Sequence, residues 1–313
     1  MTQIRHALGD VPQKISRSYT VKEIEEQMRI AEMQEEIRKR NASKNPPKSD
    51  QETNPIITQN TIIPVTFERA SFLQGEFGKA VNEKVHEMFK GIPAIDNITY
   101  NKSKRIVEGS HPIYQTAVNM ALRAMFPEIR TATQGELEII SQNNILPLKG
   151  NYYSDSSLVW RSNENPNEYL AKLLEEQFKA RNITLKENTA YVLPLHSLIL
   201  AKDANSPHKV SFEITDETLL SYFEARILMS KHGSYINSKE MKDGLPIKVY
   251  KKDISEENRK LWTINSGLSM LYLDRYLNVV SYYESLAGTS GGGRVVCVGS
   301  EAAAKKYGLG GAS

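Results

Sequence analysis

The stretch from Asn265 to Gly288 constrains the fold more than any other. Large apolar residues crowd it, among them Leu268, Met270, Leu271, Leu273, Leu277, Val279, Val280 and Leu286. Leu268, Tyr272, Tyr276, Val279, Tyr283 and Leu286 recur at steps of three and four, which predicts one face of a helix. Leu273, Leu277 and Val280 widen that face beyond an amphipathic stripe, as expected of a helix contacted on more than one side. Gly288 is placed to end it in a left-handed cap. The expectation is a central core helix. Asp274, Arg275 and Glu284 interrupt the run, whereas a membrane span needs about 20 near-uniformly apolar residues. The reading is of a soluble chain without a membrane span.

Such a helix implies a folded body, but not one that takes in all 313 residues, of which only 40% are hydrophobic. That share is low for a wholly globular chain. Residues 1–62 read as an extended N-terminal arm, 63–288 as a globular body and 289–313 as a glycine-rich hinge with a short strand–helix tail. The body reads as α+β, mixing helices with short antiparallel strands and hairpins.

The arm carries one expected helix, residues 20–40. Thr20 and Glu23 form a capping box at its start. Val21, Ile24, Met28 and Ala31 follow at heptad spacing and are the candidate interaction face. The seam lasts about two heptads, short of what a coiled coil needs. The glutamates of 23–36 precede Arg38, Lys39 and Arg40, which suits the helix dipole at both ends. Asn41 to Asn60, with Pro46, Pro47 and Pro55, reads as a linker. Its roughly twenty residues could reach about 65 Å.

In the body, Leu73, Phe77, Val81, Val85 and Phe89 predict a helix over about 68–90. Gly75 and Gly78 weaken it unless another backbone packs closely there. Ile98 with Tyr100 and Ile106 with Val107 suit two strands. Ser110 is a candidate cap for a helix through Met125, and Thr133 with Glu136 is a second capping box. Ser154 to Ser157 reads as a polar turn between strands. Asn165, Pro166 and Glu168 open a helix. Ala190 to Leu200 reads as a strand pair, Val210 to Ile214 as a half-buried strand, and Thr215 as the cap of a helix through Leu228. A lysine-rich hairpin follows. Ser255 is read as opening a short helix that leads through Trp262 into the central one.

After Gly288, the run Gly291, Gly292, Gly293 precedes the strand Val295 to Val298. A phosphate loop has the opposite order, strand before loop before helix, so a spacer is expected. Ser300 can cap a last helix, but Glu301 puts negative charge where a phosphate would sit. The single cysteine, Cys297, forbids an internal disulfide and a cysteine-based zinc site. It reads as a small buried hydrophobe. No histidine pair has zinc spacing, and His196 reads as structural. No serine sits in a nucleophile elbow. Tyr272, Tyr276, Tyr282 and Tyr283 could stack on bases but read as core. No catalytic, cofactor or metal residue is named.

Net charge is +3, from 40 basic and 37 acidic residues, which does not point to a nucleic-acid partner. An arm and a jointed tail gain burial by docking on neighbours. The leading expectation is a non-enzymatic structural subunit of a larger protein assembly, such as a virion or secretion machine. Its partners are other subunits, in a homo- or hetero-oligomer that is cytoplasmic or built into the assembly. The alternative is a nucleic-acid-binding or replication accessory protein with a basic face around Lys239, Lys242, Lys248, Lys251 and Lys252. The second alternative is an enzyme with a dispersed site.

Overall fold

The computed structural model describes residues 67–229, 232–235, 241–251, 258–289 and 291–309. The arm reading, its helix and the face Val21, Ile24, Met28 and Ala31 lie outside the described residues, as does the expected helix start at Ser255. The fold is mixed α+β, as the sequence predicts.

In chain order, β1 (Arg69–Phe72) leads into α1 (Gly75–Met88) and the short α2 (Pro93–Asp96). A hairpin of β2 (Thr99–Asn101) and β3 (Ile106–Glu108) precedes α3 (Pro112–Met125), β4 (Ile129–Thr131) and α4 (Gln134–Gln142). Then come β5 (Ser154–Trp160), α5 (Glu168–Ala180), β6 (Tyr191–Pro194), β7 (Leu198–Lys202) and β8 (Val210–Ile214). The next elements are α6 (Asp216–Ser221), β9 (Phe223–Glu224), β10 (Gly233–Tyr235), β11 (Met241–Lys242) and β12 (Leu245–Pro246). The chain continues through β13 (Arg259–Thr263), β14 (Leu268–Leu273), β15 (Val279–Ser281), β16 (Val296–Gly299) and α7 (Glu301–Tyr307).

The largest sheet has the order β10-β13-β15-β14-β5-β6-β9, and every pair in it is antiparallel except β13 with β15. A second sheet, β1-β16-β4, is antiparallel throughout. Alternation along β5 and β14 sends Leu158, Trp160, Leu268 and Met270 into one core with α1, α3 and α5. Val159, Leu271 and Leu273 enter a second core with Leu137 and Ile140 of α4 and Val296 and Val298 of β16. The Trp160 indole donates to Ala171 O at 3.0 Å, tying α5 to the sheet.

The expected central helix is instead the strands β14 and β15. Their pairing brings Tyr272 opposite Val280 and Leu273 opposite Val279. The turn between them is built by one side chain. Asp274 Oδ1 accepts the amides of Tyr276 and Asn278 at 2.8 and 2.9 Å, and Oδ2 accepts Asn278 Nδ2 at 3.0 Å. Leu277 takes a left-handed φ of 65° to close it. A strand buried on both faces reads as a near-continuous apolar run, so its period cannot be told from that of a buried helix.

Other differences are local. The helix expected from residue 68 begins with β1, and its glycines have a reason: a Cβ at Gly78 would lie 2.4 Å from the Leu73 carbonyl carbon. Tyr114 N bonds His111 Nδ1 at 3.1 Å, so His111 rather than Ser110 caps α3. Ser154 to Ser157 is buried strand, not turn. Asn167, not Asn165, precedes α5. The helix capped by Thr215 ends at Ser221. Gly291 to Gly293 does not act as a spacer. Gly293 O accepts Gly109 N at 3.0 Å, and a Cβ there would lie 2.5 Å from Ser110 N. The strand that follows is the middle of its sheet. Among the described residues no helix is long and apolar enough to cross a membrane.

Candidate functional site

Along β13, Arg259, Leu261 and Thr263 are buried, which leaves Lys260 and Trp262 on the opposite face. Pairing extends that face across the sheet. Trp262 lies beside Val280, Val280 beside Tyr272, and Tyr272 beside Asp155. Asp155 joins the row only because of a bulge. Leu271 pairs with Ser157 and Tyr272 with Asp155, so Ser156 is the extra residue. Without it, Asp155 would face the other core, since it lies an odd number of residues from Leu158.

The outer end of the row is aromatic and open. His232 stacks on Trp262 with ring centroids 5.2 Å apart, and Thr263 N donates to His232 Nδ1 at 3.0 Å. Tyr282 lies 6.3 Å from Trp262, and Tyr283 6.3 Å from Tyr282. Trp262, Tyr282 and Tyr283 are 37, 42 and 46% exposed. The core expectation for Tyr282 and Tyr283 therefore fails, and Tyr276, on the turn after β14, is exposed as well.

Two flanks border these rings. On one, Lys260 Nζ donates to Ser234 Oγ at 3.0 Å. Ser234 bridges Tyr250, and Lys248 Nζ lies 4.7 Å over the Tyr250 ring. On the other, a shallow cleft of about 560 Å³ is lined by Asn165, Pro166, Asn167, Ile264, Asn265, Ser266, Glu284 and Ser285. Asn167 Nδ2 shapes it by donating to Leu268 O and Glu284 O, each at 2.7 Å. The two flanks carry opposite charge.

The inner end of the row is polar and closed. The Ser110 hydroxyl donates to the Asp155 carboxylate. Gln115 Nε2 donates to Ser110 Oγ and to Asp155 O, each at 2.9 Å. Burial pushes the Asp155 carboxyl up to about 6, although the Ser110 hydrogen bond pulls it down. Gln115 Oε1 and Ser154 Oγ are buried without a partner among the described residues. His111 is adjacent in sequence but supplies no base for Ser110. Its Nδ1 accepts from Tyr114 N, its Nε2 bonds Ala94 O at 2.9 Å, and burial lowers its imidazole to about 4.

The remaining candidates are structural. In the glycine run, carbonyls rather than amides face the nearest cation: Arg294 Nη1 donates to Gly291 O and Gly293 O at 2.7 and 2.6 Å. Cys297 is buried, and burial pushes its thiol up to about 12. His196 Nδ1 lies 3.0 Å from Glu217. Of the expected basic face, Lys242, Lys248 and Lys251 are exposed, whereas Lys239 and Lys252 lie outside the described residues. Among the described residues no group of His, Cys, Asp or Glu could hold a metal ion. Sequence reasoning missed the row itself. Its signal was the alternation in Arg259–Thr263, a short strand hidden by the reading of a helix around Trp262.

Comparison with family models, with curated proteins and with solved structures gives no match.

Proposed function

We propose that this chain is a non-enzymatic interaction subunit of a larger protein assembly, self-associating and of the structural kind found in virions or secretion machines. One observation carries the reading. His232, Trp262, Tyr282 and Tyr283 form a continuous aromatic group, and Trp262, Tyr282 and Tyr283 are exposed. Tryptophan and tyrosine are the residues that most often anchor protein interfaces. Apolar area returned from water contributes about 25 cal/mol per Å². The arm face Val21, Ile24, Met28 and Ala31 is proposed as a second connector on sequence grounds alone.

Light scattering on the full chain over a range of concentrations tests this. A mass above that of the monomer is expected, falling when Trp262→Ala and Tyr283→Ala are combined, with circular dichroism unchanged. A wild type that stays monomeric throughout would end the reading. The nucleic-acid alternative draws on Lys260, which shares the outer face of β13 with Trp262, and on Lys248 over the Tyr250 ring, because lysines beside stacking aromatics suit single-stranded nucleic acid. Glu284 beside Tyr283 weighs against it, since it would repel a phosphate backbone.

A further inference from the structure

We infer that the occupant of the aromatic row is the same row on a second copy of this chain, related by a two-fold axis. This rests on the subunit reading and names its partner. The row is flanked unequally. Lys248 and Lys260 lie on one side of Trp262, and Glu284 lies on the other, next to Tyr283. A two-fold axis through the rings turns the basic flank of one copy onto the acidic flank of the other, twice over. An isologous interface requires this self-complementarity. The rings then occupy the centre and the charges the rim, the usual layout of an interface.

The chemistry of the surface favours this occupant over the other candidates. A polyanion would meet Lys248 but be repelled at Glu284. A purely apolar partner would leave both flanks unanswered. A second copy answers rings, base and acid together. The closed end of the row at Asp155 takes no part, because Asp155 and Ser110 are buried.

The test is a charge swap on the full chain, read by analytical ultracentrifugation. Lys248→Glu alone and Glu284→Lys alone each place like charges opposite one another at both ends, so each variant should associate more weakly than wild type. In a mixture of the two, the glutamate introduced in one copy meets the lysine introduced in the other. The second contact of that mixed pair keeps the native Lys248 and Glu284, so the mixture should recover association. The double variant should recover it by itself. Trp262→Ala should weaken dimerisation roughly tenfold or more, and added salt should weaken the wild-type dimer.

Each other outcome points elsewhere. Association that all of these substitutions leave unchanged would overturn the two-fold contact and leave the subunit reading intact. Single variants that weaken association without rescue on mixing would overturn the pairing of flanks. Wild type that is monomeric at every concentration would remove the subunit reading as well. Tight, salt-sensitive binding of fluorescent oligothymidylate, lost in Trp262→Ala and without dimerisation, would give the surface to single-stranded nucleic acid.

Discussion

Arg259 of β13 lays its two terminal nitrogens on the two oxygens of Glu138 of α4, at 2.7 and 2.6 Å, with 6 and 4% of the side chains exposed. Its Nε donates to Leu277 O at the β14–β15 turn, and its guanidinium lies 5.2 Å over the Tyr235 ring. One residue thus joins a helix, a turn and the edge strand β10.

The pair's desolvation sets what its removal costs. Taking away one partner strands a buried charge, which costs about 3–5 kcal/mol. Glu138→Leu and Arg259→Met should each be destabilised on that scale in urea unfolding. Both changes together should recover much of the loss, because an apolar pair of similar volume leaves no charge unanswered. A double variant no better than the worse single would show that the bonds to Leu277 and Tyr235, not the ion pair, dominate.

Asp155 and His111 oppose one another as pH falls. The Asp155 carboxyl is raised from 3.8 to about 6, so its folded form binds the proton more readily than the unfolded chain. Its contribution is present in full below 3.8 and is lost as pH rises through 6. His111 is lowered from 6.5 to about 4, so its contribution is present above 6.5 and is lost as pH falls through 4. His208, also lowered by burial, has the same sign as His111. At about 1.4 kcal/mol per unit, each of the larger two is worth about 3 kcal/mol across the window. Denaturation midpoints of wild type should therefore fall only modestly between pH 6.5 and 4 from these groups, Asp155 offsetting His111 and His208 setting the remainder. Asp155→Asn removes only the acid-side gain, so its stability should fall more steeply over that range. Parallel profiles for the two proteins would mean that Asp155 has an ordinary carboxyl.

What the sequence made legible was local. The capping box of Thr133 and Glu136 forms as written, with Thr133 N to Glu136 Oε2 at 2.9 Å, because both partners lie within one turn. The strand Val295 to Val298, the Ser300 cap and the β2–β3 hairpin were likewise readable from neighbouring residues. The β14–β15 pair was not, because its apolar residues fill both faces and its turn depends on Asp274 and Asn278 within an otherwise hydrophobic run. Nor was the aromatic row, whose members come from four strands and the loops beside them, with Asp155 turned inward by a one-residue bulge. Serines at 154, 156 and 157 suggested a turn; their hydroxyls are buried in the sheet. Ser156 Oγ, for example, donates to Gln134 Oε1 at 2.8 Å.

Leu277 combines burial with an unfavourable backbone. It is 7% exposed and holds a φ of 65°, a region that costs an L-residue about 1–2 kcal/mol. Leu277→Ala loses the packing and keeps the strain. Leu277→Gly loses the packing and releases the strain, though glycine adds freedom to the unfolded chain. The two variants should both fall below wild type, with glycine equal to or above alanine. Leu271→Ala, at a fully buried strand position without that strain, should cost the full 2–5 kcal/mol or so of a large-to-small core change. An alanine at 277 clearly more stable than glycine would show that the turn does not hold Leu277 in the left-handed region.

Arg161 is a buried cation held by neutral acceptors. Its Nε donates to Leu228 O at 3.1 Å. Nη1 reaches Val159 O at 3.4 Å and Ser269 Oγ at 2.9 Å. Nη2 reaches Thr263 Oγ1, Ser281 O and Ser281 Oγ at 3.0, 3.1 and 2.7 Å. Every nitrogen is used, so no donor is left for an anion, and burial lowers the guanidinium to about 9. These bonds stitch β5 to β13, β14 and β15 behind the aromatic row. A lysine cannot replace it: an ammonium has three donors, no planar fork and a pKa that falls readily when buried. Arg161→Lys should lose about 2–4 kcal/mol at pH 7 through unmet acceptors and a worse-solvated charge. Because the lysine's folded pKa would lie below its unfolded value, its stability should then climb as pH rises from the folded toward the unfolded pKa. Wild type keeps its guanidinium charged at pH 7, so it should climb less between pH 7 and 9. Urea midpoints at those two pH values decide the matter: equal pH slopes for Arg161→Lys and wild type would mean that the lysine escapes to solvent and the sheet tolerates the loss.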